Sequence, residues 1–218
     1  MTAITLSGAS AGYQGRTILN EISLTIEPGT RVALVGESGV GKTTLINLLY
    51  RQCGGAAALV PQDLGLVAAL TVFHNVYMGR LHQRSLFHNI RTLAWPSRRD
   101  VDAVRAVLAP LRLDKKLFSP VGELSGGQQQ RTAVARSLFH PGSVLFADEP
   151  VSAVDNLQAR EILQIVNRSK QTVVIALHDR TLAIEFADRI VGLRDGHIVL
   201  DAPANALQPC DIDHLYAA

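Results

Sequence analysis

The amino-acid sequence predicts an α/β fold: a mainly parallel sheet with flanking helices, an N-terminal antiparallel β region, and a helical insert. Three observations predict it. Residues 30–35 read as a short buried strand that runs into Gly36-Glu37-Ser38-Gly39-Val40-Gly41-Lys42-Thr43, and a helix with an apolar face follows over 43–50. Residues 143–147 hold four consecutive apolar positions and close on Asp148-Glu149. Such a run implies burial on both faces, as in a central parallel strand. Residues 172–177 repeat the pattern and close on His178.

The elements follow in order. Residues 2–7 and 22–27 alternate apolar and polar side chains, as antiparallel strands with one wet face do. Between them, Ala11-Gly12-Tyr13-Gln14-Gly15 places an aromatic ring in a glycine-flanked turn. Tyr13 there either stacks on a base or packs at a strand end. Glu27-Pro28-Gly29-Thr30 is a turn into the next strand. The stretch from Gly36 matches the phosphate-binding pattern G-x-x-x-x-G-K-[ST]. Its three glycines let successive N–H groups point at one anion, and the following helix adds its dipole. Lys42 is placed to reach the β- and γ-phosphates of a nucleoside triphosphate and the Thr43 hydroxyl to bind Mg²⁺, with Thr44 beginning the helix behind them.

Gly54-Gly55 breaks the pattern, and residues 57–61 read as a short strand ending at Gln62. Gln62 is either a loop residue or a group that reaches a phosphate-bound metal or water. Residues 71–140 look mainly helical. Thr71 caps residues 72–78, which Gly79 ends, and Ser97 with Asp100 makes a capping-box-like start for a helix carrying Val101, Val104, Val107, Leu108 and Leu111. Arginines 80, 84, 91, 98, 99 and 105 face only Asp100 and Asp102 in this stretch. They form a solvated face, or a docking surface for an acidic loop or lipid headgroups. In Leu124-Ser125-Gly126-Gly127-Gln128, Ser125 sits at an N-cap position. The motif is simple capping or a second anion site.

The acids Asp148 and Glu149 emerge at the carboxyl end of their strand, where ligands of α/β sheets bind. One acid there holds Mg²⁺ and the second can accept a proton from attacking water. Helix 155–168 is led by Asp155, and His178 is a candidate hydrogen-bond donor to a γ-phosphate. A helix over 181–187 and a hairpin around Asp195-Gly196 complete the chain. The net charge of +2 gives no electrostatic case for nucleic acid. Cys53 and Cys210 match no metal spacing and read as free thiols in a reducing compartment. No apolar run approaches the ~20 residues of a membrane span, and the N-terminus lacks a signal-peptide start, so a cytosolic protein is expected.

Together these motifs resemble the ATP-binding subunits of the ABC transporter family, from end to end. Tyr13 matches the A-loop aromatic, Gly36 to Thr43 the phosphate loop, Gln62 the Q-loop glutamine and Leu124 to Gln128 the signature LSGGQ. Asp148 matches the Mg²⁺ acid, Glu149 the general base, Asp155 the D-loop acid and His178 the switch histidine. The resemblance implies a phosphate-loop NTPase core over 1–70 and 141–218 with a helical subdomain over 71–140, in one domain. It implies ATP and Mg²⁺, with catalysis by Glu149, His178 and Gln62, and Thr43, Gln62 and Asp148 on the metal. It also implies a head-to-tail homodimer, each ATP capped by Ser125, Gly127 and Asp155 of the second subunit. An integral membrane permease and a substrate-binding protein are implied partners, and the cytoplasmic face of the inner membrane the location. Within the family the likeness is to ATPases of phosphonate importers, in Asn75-Val76, Gly79-Arg80-Leu81, Ser125-Gly126-Gly127-Gln128-Gln129-Gln130-Arg131 and Asp148-Glu149-Pro150-Val151, and also in residues 189–196 and Leu215-Tyr216. The alternative is a soluble ABC-type ATPase serving as an assembly or regulatory module of a phosphonate-metabolising or other complex. One departure stands out: Gln62 follows Lys42 by only 20 positions, roughly half the family's usual spacing. That leaves the full antiparallel subdomain and the register of the Tyr13 contact open.

Overall fold

The computed structural model describes residues 2–13 and 15–216. Its chain divides into two compact units. The first comprises Met1–Gln62, Ser143–Glu149 and Lys170–Ala218, the second Asp63–Gly142 and Pro150–Ser169.

In the first unit, β1 (Ile4–Tyr13) and β2 (Arg16–Ile26) pair antiparallel as a two-stranded ribbon. Both strands run further than the alternation predicts. Three register shifts, between Leu6 and Ala9, Ala9 and Ala11, and Ala11 and Gly12, break the period of two and hide the inner halves of the strands. Tyr13 therefore ends β1 rather than sitting in a longer turn, and its side chain lies outside the described residues.

The remaining strands are β3 (Arg31–Val35), β4 (Ala57–Val60), β5 (Val144–Asp148), β6 (Thr172–Ala176), β7 (Arg189–Arg194) and β8 (His197–Pro203). They form one sheet in the order β4-β5-β6-β3-β7-β8, parallel except for the β7–β8 hairpin. Asp195 and Gly196 both adopt positive φ in its turn, as a tight two-residue connection demands. Every residue of β5 and β6 is buried, which is why their sequences carry no polar alternation.

Helix α1 (Lys42–Gln52) lies between the ribbon and one face of the sheet. Leu45, Ile46 and Leu49 meet Leu19, Ile22 and Leu24 of the ribbon and Val32, Leu34 and Phe146 of the sheet in one core. Burying each of those α1 side chains contributes roughly 1.5–3 kcal/mol, so the helix that follows the glycine loop is firmly seated.

The second unit contains α2 (Val72–Tyr77), α3 (Leu86–Ala94), α4 (Arg98–Leu108), α5 (Gly126–Phe139) and α6 (Asn156–Ser169). Thr71, Ser97 and Ser125 cap α2, α4 and α5 through their side-chain oxygens, as their positions predict. Helix α2 stops at Tyr77 with Met78 as its C-cap, so Gly79 follows the cap as expected. The chain continues as a 3₁₀ turn over Met78–Gln83, and a Cβ at Gly79 would lie 2.4 Å from the Arg136 carbonyl oxygen. Glycine is needed there because α5 approaches the backbone. Back in the first unit, Asp179 caps the last helix, α7 (Arg180–Phe186). Cys53 and Cys210 are both free. Among the described residues no helix is long and apolar enough to cross a membrane.

Candidate functional site

The sheet order explains how residues far apart in sequence meet. β3 and β5 flank β6, and all three are parallel, so their carboxyl ends share one edge. The glycine loop leaves β3, Asp148 and Glu149 leave β5, and His178 follows β6. Gln62 follows β4 on the far side of β5.

The loop turns sharply at Gly36, whose φ is 138°. A Cβ there would stand 2.4 Å from the Leu193 carbonyl oxygen, so no side chain fits. The Lys42 ammonium is buried and donates to the carbonyl oxygens of Gly36 and Glu37, each at 2.8 Å. Burial lowers its pKa, while the nearby carboxylates of Glu149 and Asp148 oppose that shift. Glu37, Ser38 and Gly39 are exposed to solvent, so an anion can reach the loop.

Thr43 Oγ1 donates to Asp148 Oδ2 at 2.5 Å. Asp148 is buried, and its Oδ1 has no hydrogen-bond partner among the described residues. Burial raises the Asp148 pKa most strongly; the Thr43 hydrogen bond pulls it down, and the Glu149 charge pushes it further up. A buried carboxylate with one unsatisfied oxygen beside a hydroxyl is a pair of hard oxygen donors. That donor set suits Mg²⁺, which takes one or two protein oxygens and completes its shell from phosphates and water.

Glu149 holds a left-handed backbone, φ 51°, while its N–H donates to the Ala176 carbonyl at 3.2 Å. A non-glycine residue pays of order 1 kcal/mol or more for such a conformation, a cost typical of functional positions. Glu149 Oε1 lies 2.5 Å from His178 Nε2. Gln62, Glu149, Lys42, Thr43 and Thr44 line a cleft of about 220 Å³. A second cleft of about 640 Å³ shares Ile18, Ser38 and Gly39 with it, and Val40 and the 193–196 turn extend its walls. That size suits a small-molecule ligand.

Ser125, Gly127 and Asp155 lie in the second unit. Ser125 Oγ accepts from the Gln128 N–H at 3.4 Å, and Gln128 Oε1 accepts from the Ser125 N–H at 3.1 Å, completing a capping box. A Cβ at Gly127 would approach the Ala153 carbonyl oxygen to 3.0 Å. Asp155 caps α6, with Oδ1 accepting from the Gln158 N–H at 2.9 Å, and that bond lowers its pKa.

Three polar residues organise this unit through contacts that sequence reasoning did not read. Gln130 is buried on α5; its Nε2 donates to Ser152 Oγ at 3.1 Å and its Oε1 accepts from the Ala153 N–H at 2.9 Å. It thereby ties the segment before Asp155 to the helix that begins at the signature. Asn75, fully buried, accepts from the Val67 N–H at 2.8 Å and donates to the carbonyls of Val67, Leu70 and Thr71. The Arg136 guanidinium donates to the carbonyls of Leu64 and Gly65, each at 2.5 Å, fixing the chain just beyond Gln62. Gln130 and Asn75 stand in stretches that carry the family likeness, but those stretches do not specify the partners each residue takes.

A glycine loop between a buried strand and a helix, with carboxylates at the end of a parallel strand, defines a phosphate-loop nucleotide-binding protein. The chain belongs to the ABC transporter family, whose match covers residues 19–152, and it is an ATPase subunit of that family. The phosphonates import ATP-binding protein PhnC of Pseudomonas putida is 36% identical to it, over 99% of this chain and 90% of that protein. The protein of the same name from Anaeromyxobacter dehalogenans is 36% identical over 99% of this chain, which spans only 48% of that relative. Among solved structures, a dimeric bacterial ABC transporter cassette superposes with a TM-score of 0.80 at 24% identity, covering 93% of this chain and 99% of the other. A bacterial Atm1-family ABC exporter with ATP bound gives 0.79 at 26% identity, covering 96% and 40%.

Proposed function

We propose that this ATPase drives import of a phosphonate-type solute. The reading of the reaction is carried by one observation: the Thr43–Asp148 and Glu149–His178 pairs meet at the mouth of the glycine loop. The backbone of Gly36, Glu37, Ser38, Gly39, Val40, Gly41 and Thr44, with Lys42, holds the triphosphate, and Tyr13 stacks on the base. Glu149 accepts the proton of the attacking water, and His178 orients that carboxylate and donates toward the γ-phosphate. Thr43, Asp148 and Gln62 would hold Mg²⁺, which when bound neutralises charge on the phosphates. Catalysis is then positioning and charge neutralisation, with one proton transferred to a carboxylate.

The site is half of a composite. Ser125, Gly127 and Asp155 of a second copy, arranged head to tail, close over the nucleotide. Residues 1–70 and 141–218 form the nucleotide-binding part and 71–140 the helical part that conveys closure to an integral membrane permease. The subunit lies peripherally on the cytoplasmic face of the inner membrane, and a substrate-binding protein delivers the solute. The phosphonate class is supported by the relatives' own names at 36% identity.

The test is growth of the source organism, with this gene deleted, on a phosphonate as sole phosphorus source. Growth should fail and return with the wild-type gene but not with Glu149→Gln. Undiminished growth of the deletion strain would remove the phosphonate assignment.

A further inference from the structure

A 3₁₀ segment over Pro209–Leu215, started by a capping pair between Gln208 and Asp211, packs against β7 and α7. Its Ile212 and Leu215 are buried. Leu215 sits on the bare backbone of β7: a Cβ at Gly192 would stand 2.5 Å from its Cδ1, so only glycine leaves room for it. Gly192 is the register partner of Val35, the residue before Gly36. Further along β7, Arg194 Nη1 donates to the His214 carbonyl at 3.3 Å. Between these two anchors lies Leu193, whose carbonyl oxygen occupies the space that a Cβ of Gly36 would need. Leu215 also lines the larger cleft, together with Glu37, Ser38 and Gly39.

Tyr216 carries this support to the loop itself. Its hydroxyl oxygen is buried and makes no hydrogen bond of normal geometry among the described residues. Burial pushes the phenol pKa up most strongly, and the nearby Gly36 N–H pulls it back. The Arg180 guanidinium lies 5.0 Å over the ring, and Arg180 also forms an ion pair with Asp213. Arg180 opens α7, two positions after His178. One segment therefore meets both the chain leaving β3, which supplies Gly36, and the chain leaving β6, which supplies His178. The catalytic reading uses none of Arg180, Asp213, Leu215 or Tyr216. Gly36, Gly39 and Gly41 all adopt positive φ, and glycine loses more freedom on ordering than any other residue. A loop of this composition binds an anion more tightly when its shape is fixed beforehand.

We infer that residues 209–216 form a strap that presets the phosphate loop for the triphosphate, with Leu215 and Tyr216 as positioning residues acting through β7 and Gly36. The inference rests on Gly36 to Thr43 being the triphosphate site and adds the residues that hold that site in shape. Presetting lowers the ordering cost of binding, so its loss falls on ATP affinity and spares the chemical step once ATP is seated.

Equilibrium ATP binding, steady-state hydrolysis and thermal melting are measured on the full chain carrying Tyr216→Ala, Tyr216→Phe, Leu215→Ala or Lys42→Ala. Tyr216→Ala should raise both Kd and KM for ATP about tenfold and leave kcat within about twofold. Tyr216→Phe keeps the ring under Arg180 and should restore wild-type affinity, because the hydroxyl has no hydrogen bond to lose. Leu215→Ala releases the strap at a second point and should raise KM in the same way, which keeps the test open if Tyr216→Ala does not fold. Unchanged ATP affinity in either alanine variant of the strap overturns the inference. So does a fall in kcat and melting temperature at unchanged KM, the mark of a merely structural residue, or a Tyr216→Phe protein that binds ATP as weakly as Tyr216→Ala. Lys42→Ala separates the two readings. If it alone loses affinity, the strap fails and the loop assignment stands; if it too binds ATP normally, the loop assignment fails and takes the strap with it.

Discussion

Replacing Glu149 by Gln tests the proposed proton-accepting step. The amide keeps the volume of the side chain and an oxygen that can still accept from His178 Nε2, now 2.5 Å from Glu149 Oε1. Lys42, Thr43 and Asp148 keep their contacts, because none of these hydrogen bonds involves Glu149. What disappears is the carboxylate able to take a proton in the cleft, since Asp148 is buried with one oxygen bonded to Thr43. Loss of a general base lowers the rate by about 10²–10⁴-fold, which is about 3–5 kcal/mol on the barrier. Single-turnover phosphate release measures the loss, and equilibrium nucleotide binding on the same preparation should be unchanged. His178→Ala should also slow release, and the double variant should be little worse than Glu149→Gln if the pair acts as one unit. Near-wild-type release by Glu149→Gln would refute the assignment of the base.

Other expectations follow from the same geometry. Lys42→Ala removes the ammonium that the loop carbonyls hold and should weaken ATP binding by about 10–100-fold; unchanged affinity in a titration would contradict the loop's role. Burial raises the Asp148 pKa, so the folded protein binds this proton more readily than the unfolded chain, and the charged carboxylate costs stability above its folded pKa. Asp148→Asn should therefore raise the melting temperature of nucleotide-free protein at pH 7, with the gain shrinking as pH falls through that pKa, while hydrolysis is lost. A gain that does not vary with pH would mean that charge burial is not the cause. Asn75→Ala strands the Val67 N–H and the carbonyls around it and should cost about 2–4 kcal/mol, read from the midpoint of urea unfolding. An isolated copy should hydrolyse ATP slowly, with activity rising more than linearly with protein concentration; strict proportionality down to high dilution would argue against a composite site unless the dimer is very tight.

The strand-end positions of the candidate site residues were legible because β3, β5 and β6 are buried on both faces. Unbroken apolar runs then leave Gly36, Asp148 and His178 conspicuous at their ends. Helix starts were equally plain, since Thr71, Ser97 and Ser125 satisfy N–H groups only a few residues away. The ribbon was half hidden because each bulge in β1 resets the alternation on which strand reading depends. The contacts of Gln130, Asn75 and Arg136 were not legible for another reason. Two of them act on partners 22 or more positions away, and Asn75 acts on a loop whose shape the sequence does not specify. The packing need for Gly79 was hidden for the same reason: the Arg136 carbonyl that crowds it belongs to a helix that only the fold brings near.

Helix α3 marks where pattern reading stops in principle. Periodicity states which residues share a face, and Leu86, Phe87, Ile90 and Leu93 do share one. It cannot state whether that face turns in or out, because in water the inward choice is the default and the sequence contains no contrary sign. Here the sign is carried by Asn89, His88 and Thr92, whose polar groups find partners or shelter only on the inner side. Satisfying those groups and hiding the apolar face are competing demands on a single rotation of the helix. The fold settles the polar groups, and Leu86, Phe87, Ile90 and Leu93 are left exposed in consequence.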